Sequence, residues 1–126
     1  MINDDRLVSL IIKYNCDNEL NNLKDILDYL QKYPLYLFTT IKISKRKLLQ
    51  IPKDDLSMIL NNQQYFSVFS NQKNNNNQLK YCLAVTVNDC LLLMKKIGNT
   101  SKIIINPNQE NCFILTKDMI KYLKGQ

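Results

Sequence analysis

The residues that could carry out covalent or metal chemistry are few. The chain contains no histidine, and its four cysteines form no Cys-x-x-Cys pair: Cys16, Cys82, Cys90 and Cys112. Serine and cysteine nucleophiles are normally activated by an imidazole base, and most zinc sites use histidine or paired cysteines as ligands. We therefore expect no catalytic residues and no metal site. The scattered cysteines favour free thiols in a reducing compartment.

Acid-base and phosphate chemistry are also poorly supported. Asp54 and Asp55 are adjacent in a predicted loop, so their carboxylates point apart, and no second acidic cluster opposes them. A phosphate-cradling loop needs several glycines, whereas the chain holds only Gly98 and Gly125. The sequence predicts a protein that is not an enzyme and binds no cofactor.

The positive charge of the chain suggests a different function. The net charge is +6 and the isoelectric point is about 9.1. Lys45, Arg46 and Lys47 form the densest basic run and are candidates for phosphate contacts with a nucleic acid. The other interpretation is a solvated basic loop, which we favour because specific nucleic-acid modules add a recognition helix or stacking aromatics.

Length and composition indicate the class of protein. With 126 residues, 45% of them hydrophobic, the chain fits one domain over residues 1–126 with a substantial core. No apolar run approaches the roughly 20 residues of a membrane span. The first residues also lack the basic and apolar regions of a signal peptide. We expect a cytoplasmic protein.

Hydrophobic periodicity predicts a helical start and an extended centre. Helices are expected over residues 4–14 and, from a stripe of leucines and isoleucines, in a segment capped by Asp17 or Asn18 and ended by Tyr33-Pro34. A long strand should follow at 35–43. The basic run then lies in a predicted loop, and two short apolar runs are expected to pair as a hairpin across a turn at 61–64: residues 56–60 and 65–69.

The second half alternates strands and helices. A strand at 83–87 should lead into a helix capped by Asn88. The isoleucine strand 103–105 should then pair with 112–115, and Thr116 should cap a closing helix. The complete order predicts a mixed α/β (α+β) fold with a single mixed sheet and flanking helices.

Several of these segments together resemble the N-terminal domain family of SseB, the bacterial enhanced serine sensitivity protein B. Residues 65–71 are similar to an aromatic strand of that family. Residues 103–107 and 113–116 are similar to its Val-Ile-Asn-Pro hairpin and closing helix, and residues 33–37 to its first strand. The resemblance covers most of residues 17–124. It implies a small cytoplasmic accessory or regulatory module, and the family offers no established catalytic residues to transfer.

Two loops at the ends of predicted strands are candidate contacts for a protein partner. They comprise Phe69, Ser70 and Asn71 at the end of one strand, and Asn106, Pro107 and Asn108 after another. In the alternative interpretation, the asparagines satisfy local backbone groups and the aromatics are buried on both faces of the sheet. The leading hypothesis is a protein-interaction module that uses these loops or an exposed sheet edge. A nucleic-acid-associated protein and an immunity-type protein are the alternatives.

Overall fold

The computed structural model describes residues 6–60, 66–72, 81–97, 102–107 and 111–124. Helices and strands are numbered separately here in chain order. The elements are α1 (Arg6–Cys16), α2 (Leu20–Lys32), β1 (Leu35–Thr39), α3 (Lys45–Gln50), α4 (Lys53–Ile59), β2 (Phe66–Val68), β3 (Tyr81–Val85), α5 (Val87–Ile97), β4 (Ile103–Ile105), β5 (Phe113–Leu115) and α6 (Lys117–Lys124). The predicted mixed α/β fold is confirmed.

The strands form two small sheets that meet at one bridge. β1 pairs with β3 in an antiparallel manner, while β4 lies between β2, which is parallel to it, and β5, which is antiparallel. Tyr36 and Phe69 exchange two backbone hydrogen bonds of 2.9 Å. This bridge places the strands in the spatial order β3, β1, β2, β4, β5.

One face of this five-strand surface, here called the inner face, holds the main core. Side chains alternate along a strand, so β2, β4 and β5 each direct their first and third residues inward. All six of these residues are buried: Phe66, Val68, Ile103, Ile105, Phe113 and Leu115. Residues from all the described helices join the same cluster, including Leu7, Leu48 and Ile120.

The N-terminal half matches the predicted helices but shortens the predicted strand. In α1, Leu7 and Ile11 are four residues apart and fully buried, as helical spacing requires. β1 ends at Thr39 rather than at residue 43. There the Thr39 hydroxyl donates to the Ile41 carbonyl at 2.7 Å, and the Thr40 amide donates to the Ile59 carbonyl. These bonds turn the chain away from the sheet.

The predictions of a basic loop and of a hairpin are wrong, because the basic run and the first apolar run are helical; the second apolar run does contain a strand, β2. Ser44 caps α3 by accepting a hydrogen bond from the Lys47 amide at 3.2 Å, so the basic run forms the first turn of a helix. Residues 56–60 belong to α4 and its C-cap, since Leu56, Ile59 and Leu60 are spaced to bury one helical face. Residues 61–65 lie outside the described residues.

The start of α5 also differs from its prediction. The preceding strand ends at Val85, and Thr86, not Asn88, caps the helix. The Asp89 amide donates to the Thr86 hydroxyl at 3.1 Å, and the Thr86 amide donates to the Asp89 carboxylate at 2.9 Å. This reciprocal pair is a capping box in which aspartate replaces the usual glutamate. The predicted Thr116 cap of α6 is confirmed, because its hydroxyl accepts from the Met119 amide.

The Asp89 carboxyl of the capping box should make the free energy of unfolding depend on pH. Burial acts to raise the pKa of the Asp89 carboxyl, but the hydrogen bonds from Thr86 and Lys45 and the charge of Lys45 together lower that pKa below its usual value. A lowered folded-state pKa contributes stability above the unfolded pKa of about 3.9 and loses it as the pH falls through the folded value.

We therefore expect Asp89→Asn to be less stable than the wild type near neutral pH, and the difference to narrow below about pH 4. Urea unfolding at a series of pH values measures both free energies. Asp54→Asn, which alters an exposed carboxylate in α4, is the control. A gap between Asp89→Asn and wild type that is constant with pH would contradict the assignment.

Candidate functional site

The ends of the parallel strands β2 and β4 are joined by one asparagine side chain. The Asn106 amide nitrogen of the backbone donates to the Val68 carbonyl at 2.9 Å. In the side chain, Oδ1 accepts from the Ser70 backbone N–H at 3.0 Å, and Nδ2 donates to the Ser70 hydroxyl, also at 3.0 Å. Asn106 is completely buried. Its side-chain hydrogen bonds therefore continue the pairing of β2 and β4 past the last backbone hydrogen bond.

The backbone of Asn106 explains why an asparagine is suited to this position. Its φ angle is +55°, in the left-handed region where most residues with a Cβ are strained. Asparagine enters that region more easily than most residues, and its short amide can form hydrogen bonds there. One residue thus ends β4, turns the chain and holds the end of β2.

The structure brings most of the predicted contact residues together, but several are inaccessible. Phe69, Ser70 and Asn106 are buried, so their side chains cannot offer the surface contacts predicted for them. Asn71 and Pro107 are half-buried at the ends of β2 and β4. Asn108 lies outside the described residues. Partner binding through Asn71 and Pro107 stays a prediction.

Phe69 belongs to a second, smaller apolar cluster on the opposite face of the sheet, here called the outer face. Its ring lies 5.0 Å from that of Phe38 at an interplanar angle of 77°, the edge-to-face arrangement that aromatic pairs prefer. Cys82 packs against this pair. All three residues belong to strands or their bridge, so this cluster forms without a residue from the described helices.

The rest of the outer face carries partly exposed apolar side chains. Tyr36 lies opposite Ala84 across β1 and β3, and Ile104 lies opposite Ile114 across β4 and β5. Ala84 and Ile114 are exposed, the latter at 43%, and the other two are half-buried. Sequence reasoning missed this surface because three successive isoleucines show no alternation. The alternation in 113–115 emerges only once Phe113 and Leu115 are known to face the core.

The three residues of the basic run differ in their contacts: Lys45 forms an ion pair, whereas Arg46 and Lys47 point into solvent. Lys45 forms an ion pair with Asp89 at 3.1 Å, which connects α3 to the capping box of α5. Lys96, from the last turn of α5, donates to the carbonyls of Leu49 and Ile51 at the end of α3. Arg46 and Lys47 are exposed. The predicted phosphate contacts are therefore available mainly from these two residues.

Three of the four thiols are poorly suited to act as nucleophiles. Burial raises the pKa of the Cys82 and Cys112 thiols, and burial together with the Asp89 charge raises that of Cys90. A reactive cysteine requires a lowered pKa instead. Cys16 is exposed, and all four cysteines are free. Among the described residues, no group of three or more cysteine, aspartate and glutamate side chains could hold a metal ion.

Comparison with known proteins found no relative. No protein-family model, no curated protein and no solved structure matches the chain. The resemblance to the SseB N-terminal domain family therefore stays a prediction. Within the described parts of the chain, no helix is long and apolar enough to cross a membrane.

The two side-chain hydrogen bonds between Asn106 and Ser70 should contribute measurably to the free energy of unfolding. Asn106→Ala removes both side-chain hydrogen bonds and leaves a Cβ at positive φ without the amide group that offsets its strain, so we expect the free energy of unfolding to fall by about 2–4 kcal/mol. Asn106→Gly removes the same bonds but tolerates the backbone angle, so it should be about 1 kcal/mol more stable than the alanine variant. Urea unfolding of the three proteins checks this order. If the alanine variant has the same free energy of unfolding as the wild type, the Asn106–Ser70 hydrogen bonds do not stabilise the protein.

Proposed function

We propose that this protein is a non-enzymatic accessory or regulatory module that binds a protein partner. The resemblance to the SseB N-terminal domain family supports such a role. The raised thiol pKa values and the lack of a histidine base argue against nucleophilic catalysis. Four free cysteines suit a reducing compartment, so we place the protein in the cytoplasm.

The observation that carries this proposal is the partly exposed apolar outer face of the sheet. Ile114 projects from β5, a strand that pairs on one side only among the described residues. Ile104 lies beside Ile114, and Tyr36 lies on the same face beyond β2, whose outward residue is Ser67; neither Ile104 nor Tyr36 belongs to the two core clusters. Apolar side chains gathered on one face, beside an unpaired strand edge, are typical of surfaces that bind another protein. Asn71 and Pro107 lie where β2 and β4 end.

Introducing a charge on this face should abolish partner binding without unfolding the protein. Ile114→Asp alters an exposed side chain, so the core is preserved, while the carboxylate would be buried without a counter-ion in the complex. The tagged wild type and variant are used for affinity capture from lysate of the source cells, with high-salt and nuclease arms and mass spectrometry of the bound proteins. We expect a protein retained by the wild type in every arm and lost with Ile114→Asp.

Leu92→Asp provides the matched control. Leu92 is 57% exposed on α5 and does not belong to the sheet, so this variant should retain the partner. Circular dichroism establishes that both variants are folded. Retention of the same protein by Ile114→Asp would reject the outer face as the binding surface.

Nucleic-acid binding is the second candidate, and the exposed Arg46 and Lys47 side chains favour it. Both lie in the first turn of α3, and neither forms an ion pair with another described residue. Phosphate contacts from such side chains release counter-ions, so affinity would fall steeply with salt. On this hypothesis the protein would be retained on nucleic acid through charge alone.

A salt titration distinguishes this candidate. If the two side chains contact phosphates, the double variant Arg46→Gln/Lys47→Gln should reduce the magnitude of the slope of log affinity against log salt by about 1.8 for double-stranded DNA. Fluorescence anisotropy with a labelled duplex measures the slope. Lys45→Gln is a less suitable variant, because Lys45 also forms the ion pair with Asp89. A slope near zero for the wild type would exclude nucleic-acid binding through these contacts.

A further inference from the structure

Helices α2 and α6 line an apolar groove, which is separate from the outer face of the sheet. Its volume is about 320 Å³. The apolar part of the lining comes from Leu20, Leu23 and Leu27 of α2 and from Met119 and Tyr122 of α6. Leu20 is 77% exposed and Tyr122 is 41% exposed. Leu20 belongs to the leucine stripe that predicted the helix, yet the fold leaves it outside the core.

Two opposite charges complete the lining of this groove, one on each helix. Lys24 lies one turn after Leu20 in α2, and Asp118 lies one turn before Tyr122 in α6. Both are exposed, and neither forms an ion pair or a side-chain hydrogen bond with any residue in the described part of the chain. The groove therefore presents an apolar centre together with one unpaired cation and one unpaired anion.

We propose that a second copy of this chain occupies the groove in a twofold symmetric dimer. In such a dimer the same patch serves both copies, so any contact between residues i and j occurs twice. Helix α2 of one copy would lie against α6 of the other. Lys24 would then face Asp118 of the partner subunit, and Asp118 would face the partner subunit's Lys24. Leu20 and Tyr122 of each copy would be buried in the interface between the two copies.

The charges of the groove favour a second copy over a partner that carries charge of one sign. A partner carrying charge of one sign would match either Lys24 or Asp118 and leave the other unmatched, which is costly when the contact excludes water. A second copy supplies both signs, because it carries the same lysine and aspartate. The net charge of +6 opposes association, but charges outside the contact are screened over about 8 Å at physiological ionic strength.

The proposal is tested by the oligomeric state of the purified full chain, measured by sedimentation equilibrium over a range of protein concentrations. We expect a monomer-dimer equilibrium. Leu20→Asp should abolish it, and this substitution at an exposed position should not affect folding. Lys24→Asp and Asp118→Lys should each raise the dissociation constant about tenfold or more, because each places two like-charged pairs in the interface.

The double variant Lys24→Asp/Asp118→Lys makes the test specific to this pairing. It exchanges the two charges, so it should restore the dissociation constant to within about threefold of the wild type. Lys121→Asp, which alters an exposed charge of α6 outside the groove, is the control and should leave the equilibrium unchanged.

Three results would overturn the dimer: a wild type that is monomeric at every concentration, a dimer unaffected by Leu20→Asp, or a double variant as weak as the single ones. None of these bears on the outer face of the sheet, so this inference and the proposed function succeed or fail separately.

Discussion

The hydrogen bonds of the Asn106 side chain are the constraint on which the sheet depends. β2 has only three residues, yet it lies between β1 and β4 and therefore connects the two small sheets. A strand this short makes few ladder hydrogen bonds. Asn106 extends its attachment by holding Ser70, just beyond Phe69, which forms the bridge to β1. Without the hydrogen bonds from Asn106 to Ser70, the two backbone hydrogen bonds between Tyr36 and Phe69 would alone attach this end of β2 to β1.

The same arrangement separates a structural face from a surface face. Once the strands are joined in one order, their alternating side chains place Val68, Ile105 and Phe113 against the helices. The intervening side chains must then point the other way, where only a small aromatic cluster is buried. The exposed apolar surface is thus a consequence of how the core is built.

Much of this fold follows from local sequence signals, and its failures have physical causes. The long periodic segments and the isoleucine strand with its hairpin partner were predictable, because burial fixes their period. The hairpin predicted around residues 56–60 was wrong because a five-residue apolar run fits either a strand or a helix. Asp54 and Asp55, in the first turn of α4, favour the helix. The sequence marks Asn106 as a candidate contact residue, but its buried partner Ser70 is 36 residues away, and no local pattern predicts that hydrogen bond.

The two proposed surfaces lie on different layers of the molecule, and this has a consequence for binding. The groove belongs to helices whose buried residues pack on the inner face, whereas Ile114 and Tyr36 belong to the outer face. Two copies joined through the helices therefore keep both outer faces available. A dimer would present two copies of the partner surface, and a partner with two matching segments would gain avidity because its second attachment is intramolecular. Weak binding by a small exposed patch then suffices for stable association.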